Sequence, residues 1–557
     1  MRTWSSQLLL IPVFAVVFAG ALGVAAGDPA LVEAARRGDA AAVRALVLKK
    51  SNVNEQARDG STALLWAVYH SDAAMARALI AAGANVNVAN KYGVTPLIQA
   101  SRTGDAPLMD ALLKAGATVS LAHPDGETAV MAASRTGRVE AVRLLIEAGA
   151  NVNATTYQDE TALMWAAAEG HADAIKALVA AGADANRRTR QTTISERKNS
   201  DHPTGGLTAL MFAARNGHED AVRALVAGGA DAKLANGDGV SAMAIAVVND
   251  RFDLAKVLLD LGSDPSDGSL YFAVDMHDAT TDMRARDGSR LRADFQNRTS
   301  ALELIRTLLD KGADPNKAFV GRLHNSTLCC DAEVNASPFY RAAVAADVEA
   351  LKLMIARGAQ VEWSPTEVKR EPKPGAPAAA GPGRGNPNVG RTPMMVAIGG
   401  GRGAAFSAGP GFDRLGPPPF REASNREPFE AVKVLLAAGA NPNAKSADGS
   451  TLLHQAVTAR QVPIIRALVA AGAKLDAVNK DNLTPLLVAE KPEPPPPPGN
   501  NSDARTYRAK RNTREEVIAA VRELMSLGPN DPAPVPPPLP VEEKKNGEKK
   551  PEAPSPE

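Results

Sequence analysis

Among residue types able to do chemistry, the adjacent Cys329 and Cys330 stand out, with His324, Asp331 and Glu333 beside them. They are the only 2 cysteines in 557 residues, which excludes a disulfide scaffold. A bond between sequence neighbours is strained and easily reduced, because adjacent trans Cα atoms lie closer than disulfide geometry prefers. Two adjacent thiols and one imidazole match no zinc-finger spacing, so inert loop cysteines are favoured over a redox or metal role. The 8 histidines include no His-Glu-x-x-His pair. The chain also lacks a Gly-x-Ser-x-Gly elbow, a P-loop and a Cys-x-x-Cys-His haem motif. No catalytic residue, metal ligand or cofactor is therefore assigned.

The elements that carry these residues come from an internal repeat. Gly60, Gly93 and Gly126 stand 33 apart, with Asp159 in the next place, and Gly83, Gly116, Gly149 and Gly182 keep the same step. So do Thr62, Thr95, Thr128 and Thr161, and Ala67, Ala100, Ala133 and Ala166. Four ladders with one period mean one supersecondary unit copied in tandem. Each Thr suits a helix N-cap, and the recurrent Ala lets neighbouring first helices lie close. Each Gly of the second ladder ends a helix in the left-handed region. Asn85-Val-Asn87 and Asn151-Val-Asn153 supply turn residues around one buried Val.

The helix entries read Thr62-Ala-Leu-Leu, Thr95-Pro-Leu-Ile, Thr161-Ala-Leu-Met, Thr208-Ala-Leu-Met and Thr484-Pro-Leu-Leu. They resemble the Thr-Pro-Leu-His motif of the ankyrin repeat. The resemblance implies an all-α fold, an α-solenoid of about twelve helix–turn–helix repeats with β-turn fingers, broken by disordered insertions. His171 and His218 follow Gly170 and Gly217, where such repeats commonly carry Gly-His, and are read as structural. Trp66, Trp165 and Phe212 share one first-helix position and read as core.

In chain order, 1–26 reads as a signal peptide: Arg2, then uncharged apolar residues from Leu8 to Ala26, then Asp28. The alternative is an uncleaved anchor helix that tethers a structural array. Residues 28–262 form a capping first repeat and regular repeats, with an insertion at Arg187–Pro203. Lys50 stands where the first helix-ending Gly would recur. Residues 263–362 are degenerate repeats with insertions, one of them Lys317–Ala336, and 363–389 is a Pro/Gly-rich loop. Repeats resume over 390–528, split by further Pro/Gly segments, and 529–557 is a Pro/Glu/Lys tail. Net charge is +1, so no global field argues for nucleic acid or anionic lipid. The basic runs at Arg187–Lys198 and Arg505–Arg514 read as solvated surface.

The family resemblance implies a non-enzymatic scaffold that binds a protein on its concave face; the signal-peptide reading places it in a periplasm or secreted, and it is expected to be monomeric. A redox or metal-linked protein using Cys329 and Cys330 is the rival reading. Repeat positions place Arg58, Tyr69, Lys91, Tyr92, Arg102, Arg135, Tyr157 and Arg215 on that concave face. Arg102, Arg135 and Arg215 share one position late in the first helix, and Ala168 interrupts their ladder. Arg beside Tyr is the composition protein interfaces favour, although exposed Arg is also a good helix former. On this reading, reversing the charge of Arg102 and Arg135 weakens capture of an acidic partner and leaves stability nearly unchanged.

Overall fold

The computed structural model describes residues 28–191, 205–277, 296–323, 332–366, 390–398, 428–491 and 512–536. The expected signal peptide, most of the 363–389 loop and Cys329 with Cys330 lie outside the described residues. Two compact units are present. The first holds residues up to Arg341 with Arg357–Ala359; the second holds Ala342–Ala356 and the described residues from Gln360 onward. Among the described residues no helix is long and apolar enough to cross a membrane.

The first unit is built from helix pairs. They are α1 (Ala30–Arg36) and α2 (Ala40–Leu48), α3 (Ala63–Tyr69) and α4 (Ala73–Ala81), α5 (Pro96–Thr103) and α6 (Ala106–Lys114), and α7 (Ala129–Thr136) and α8 (Val139–Glu147). There follow α9 (Ala162–Glu169) and α10 (Ala172–Ala180), α11 (Ala209–Asn216) and α12 (Glu219–Ala227), α13 (Ala242–Val248) and α14 (Phe252–Asp260), and α15 (Ser269–His277) and α16 (Ala301–Asp310). The Thr ladder caps first helices as expected: the Oγ1 of Thr62, Thr95, Thr161 and Thr208 accepts the third residue's N–H. Thr128 breaks the rule, its hydroxyl buried without a partner. Second helices α2, α4 and α6 are capped by Asp39, Asp72 and Asp105. The small-residue ladder is fully buried, with Ala67, Ala100, Ala133 and Ala166 at 0% exposure. Lys50, in the place of the helix-ending Gly, takes φ 57° and adopts the same left-handed turn with a side chain attached.

Repeats are tied laterally by two kinds of rung. In the first, an Asn side chain spans from one repeat to the next. Asn87 Nδ2 donates to the Gly116 carbonyl at 3.0 Å, and its Oδ1 accepts the Thr118 N–H at 2.7 Å. Asn54, Asn153 and Asn186 do the same for the next repeat along. Each rung satisfies a carbonyl orphaned at a helix C-terminus. In the second kind, the tip of one finger donates a backbone N–H to the finger before it: Lys91 to Asp59, Tyr157 to Asp125, and Arg190 to Gln158.

One departure from an all-helical chain occurs inside the expected 317–336 insertion. Strands β1 (Phe319–Leu323) and β2 (Ala332–Ala336) pair antiparallel, with Phe319 opposite Ala336. The ring of Phe319 anchors β1 against Tyr271 and Phe272, with centroids 6.0 and 4.8 Å away. Asp275 in α15 forms a buried ion pair with Arg341, Nε to Oδ1 2.7 Å. Both side chains are about nine-tenths buried, and losing one partner alone would strand the other's charge. Helix α17 (Pro338–Ala345) carries Arg341.

The second unit comprises α18 (Val348–Ile355), α19 (Pro393–Ile398), α20 (Pro428–Ala437), α21 (Leu452–Thr458), α22 (Val462–Ala470), α23 (Pro485–Glu490) and α24 (Arg514–Leu524). The same rungs recur: Asn443 bridges to the Gly472 carbonyl and the Lys474 N–H, and Lys480 N–H donates to Asp448. Arg514 Nε donates to the Ala489 carbonyl at 2.8 Å, so α24 caps the C-terminus of α23 across the intervening segment. The left-handed residue after α24 is Ser526, at φ 59°, and not the nearby Gly528.

His454 is the fourth residue of Thr451-Leu-Leu-His454, and it is 2% exposed. Its Nε2–H donates to the Leu483 carbonyl at 2.9 Å, while Nδ1 accepts the Thr451 N–H at 3.1 Å. A proton on Nδ1 would face that N–H, and burial holds the imidazole below its usual pKa. The unfolded chain therefore binds the proton more readily. The stabilisation is fully present above the unfolded value of about 6.5 and is lost as pH falls below it.

Two predictions follow from this packing. Ser120 stands where the Asn rung would reach Gly149 and Asn151, so Ser120→Asn should raise stability by about 1 kcal/mol. Urea midpoints check it, with Ser120→Ala giving no gain. His454→Gln should lose less stability than the native chain between pH 7 and pH 5, read from urea midpoints at each pH.

Candidate functional site

Positions 58, 91, 124, 157 and 190 are equivalent points on successive fingers of the first unit, and the backbone rungs place neighbours side by side. Their occupants are Arg58, Lys91, Pro124, Tyr157 and Arg190, all exposed. Pro124 has no N–H, so it cannot make the rung to Tyr92 that Lys91 and Tyr157 make on their own neighbours. Its ring lies over Gly93, where a Cβ would come within 2.2 Å of Pro124 Cδ. Glycine is required there by that contact as well as by its φ of 78°.

The eight residues expected on one face divide into two groups. Tyr92 and Tyr157 are 64% and 65% exposed at finger tips, and Tyr69 is 52% exposed, its ring edge-on to Trp66 at 5.5 Å. Lys91 and Arg58 are also exposed. The Arg58 N–H donates to Asp28 Oδ1. The arginine ladder is different, because its members are half-buried and already engaged. Arg102 Nε donates to Glu127 Oε1 at 3.3 Å, with a second guanidinium contact to Oε2, and Glu127 is 5% exposed. Arg135 lies over the Trp165 ring at 5.2 Å, and Arg215 over Phe212 at 5.1 Å. Trp165 Nε1 donates to Glu160, whose charge partly offsets the burial that lowers the Arg215 pKa. Expected as exposed groove-facing cations, these three are instead half-buried and paired or stacked. Trp66, Trp165 and Phe212 are likewise half-buried wall residues instead of core.

The histidine reading holds. His171 and His218 donate Nε2–H to the carbonyls of Arg135 and Ala168 in the preceding repeat, at 3.0 and 3.1 Å. Burial, aided by Arg251, holds the His218 pKa low despite Ala168 and Glu169.

Sequence reasoning missed a cluster in the finger at 123–127. His123 Nδ1 lies 2.7 Å from Asp125 Oδ1, and the ligand atoms of His123, Asp125 and Glu127 lie within 4.8 Å of one another. These residues could hold a metal ion, but Arg102 already neutralises Glu127, and the group reads as an ion-pair network. Burial pushes the Asp125 carboxyl up, but the Glu127 N–H, His123 and Arg102 outweigh it and hold its pKa low. The available signal was the alternation His-x-Asp-x-Glu.

The sequence profile described as Ankyrin repeats (3 copies) matches residues 31–123, 104–189, 192–268 and 420–492, together more than half of the chain. The chain is similar to the E3 ubiquitin-protein ligase KEG of Arabidopsis thaliana, 40% identical over 70 residues, 12% of this chain and 4% of that protein. It is also similar to the B-cell lymphoma 3 protein homolog of Mus musculus, 38% identical over 76 residues, 14% of this chain and 17% of that protein. The chain thus spans only a small part of these relatives. The human ASB11 ankyrin repeat domain is 28% identical with a TM-score of 0.35, covering 42% of this chain and 97% of that one.

The Arg102 pair makes a prediction that reverses the earlier expectation. Arg102→Ala should cost about 2 kcal/mol by leaving Glu127 buried and unpaired, and adding Glu127→Gln should recover most of it. A urea double-mutant cycle measures both.

Proposed function

Starting from a chain that belongs to the ankyrin repeat family, we propose a non-enzymatic protein-binding scaffold that works outside the cytoplasm. Ankyrin repeats are interaction modules, and domains built from them are typically binding scaffolds. The observation that carries the site is the set of exposed tyrosines on the first unit, Tyr69, Tyr92 and Tyr157, beside exposed Lys91 and Arg58. Large exposed aromatics next to cations are what interface cores use, and an ordinary solvated face avoids them. Arg102, Arg135 and Arg215 have a different part: they stiffen the wall behind these contacts. Export is supported by Arg2 followed by the uncharged run Leu8–Ala26, and the partner is then an exported or envelope protein.

Two measurements test this. Intact mass of the purified protein should place its N-terminus near Gly27; Met1 on a cytoplasmic protein would remove the export reading. Tyr92→Ala with Tyr157→Ala should weaken partner capture by roughly thirtyfold, the size of an interface hot spot. Unfolding should move by less than about 0.5 kcal/mol, as for exposed substitutions. Undiminished capture by the folded variant would move the site off the finger tips.

A further inference from the structure

Some cations of this unit hold a carboxylate and others hold none. On the outer helices, Lys114, Lys176 and Arg223 each hold a carboxylate one turn away: Asp110, Asp173 and Glu219. Lys311 and Arg357 reach Asp260 and Asp310 on a neighbouring helix. Arg77 and Arg143, on outer helices α4 and α8, hold none among the described residues; what sets the finger row apart is that its cations stand beside exposed Tyr92, Pro124 and Tyr157. Among the described residues no carboxylate is within ion-pair reach of Lys91, Arg187, Arg188 or Arg190, all exposed. The acids on the same row are engaged by their own neighbours. Asp59 accepts from both the N–H and the hydroxyl of Ser61, and Asp125 is held by His123. The row therefore presents unpaired positive charge at Lys91 and again at Arg187–Arg190. Between these lie Pro124 and Tyr157, with Tyr92 alongside.

From this pattern, and resting on the scaffold reading above, we infer that the finger row takes an extended acidic segment of a partner protein, its carboxylates at Lys91 and Arg190 and an apolar residue over Pro124 and Tyr157. Charge complementarity selects the segment. An unpaired guanidinium grips carboxylates in a fork that lysine cannot form, and the tyrosine and proline between need apolar cover. A nucleic acid or an anionic membrane would also meet the cations. The apolar stretch at the centre of the row, and a chain whose net charge is only +1, favour a peptide.

The test uses the full chain and a fluorescein-labelled peptide of three Glu, Leu, Tyr and three Glu, titrated at two salt concentrations. Lys91→Glu with Arg190→Glu should weaken binding at least about tenfold and flatten the salt dependence. Arg77→Glu with Arg143→Glu makes the same change of net charge on exposed outer-helix positions, and should alter binding less than about twofold. Equal losses in both variants, or none in either, would overturn the inference, as would no binding of the peptide. So would a dT oligonucleotide or phosphatidylglycerol vesicles binding more tightly through Lys91 and Arg190. Circular dichroism confirms that each variant is folded. If partner capture depends on Tyr92 and Tyr157 while the acidic peptide fails to bind, the scaffold reading stands and the acidic-segment inference falls.

Discussion

A single asparagine side chain that reaches from one repeat into the next is the contact on which the arrangement of the array depends. A repeat alone cannot bury its apolar face, so each must be held in register with its neighbour. Apolar stacking supplies the driving force but tolerates sliding, because buried Ala, Leu and Val surfaces are smooth. The Asn rung is directional. Its amide meets one carbonyl and one N–H, both fixed at a helix terminus, and the two bonds are made together only in one register. Asn54, Asn87, Asn153, Asn186 and Asn443 repeat this lock.

The finger at 123–127 shows what happens where locks are omitted. Pro124 removes one rung toward the preceding finger, and Ser120 leaves out the Asn rung toward the following repeat. Thr128 also fails to cap its helix. Besides the Tyr157 rung on Asp125, this finger is held electrostatically: Arg102 reaches Glu127 across the seam, and His123 braces Asp125. An ion pair with one half-buried partner is a more salt-sensitive tie than an amide rung. This finger lies in the middle of the exposed row.

What was legible in the sequence was whatever is local. A Thr cap, a left-handed Gly and a buried Ala are dictated within one repeat, and each recurs at its period in the structure. Contacts between repeats were legible only in part. Asn85 and Asn87 were readable as turn residues, and Asn85 does accept the Asn87 N–H, but the second half of the motif faces the next repeat. Arg102 and Glu127 are 25 residues apart, and nothing in the local pattern says that they meet. The arginine ladder therefore read as exposed surface. The pairing of β1 with β2 was hidden because its anchor is the ring of Phe319 on Tyr271 and Phe272, more than forty residues earlier. His454 was hidden differently: the helix-entry motif carried it, at a position where the other entries have Leu, Ile or Met.

The bridge between Gln191 and Gly205 has a consequence for what such a chain can accommodate. Those two residues meet as an antiparallel pair, so the ends of the thirteen residues between them are already together. Arg514 does the same at 492–511, grasping the end of α23 from the start of α24. With both ends held, the closure penalty grows only with the logarithm of the intervening length, by about 0.6 kcal/mol per doubling. Each junction is therefore a splice point, at which the repeats on either side keep their register while the spliced sequence varies in length and chemistry. An array of this kind can acquire cargo without being redesigned.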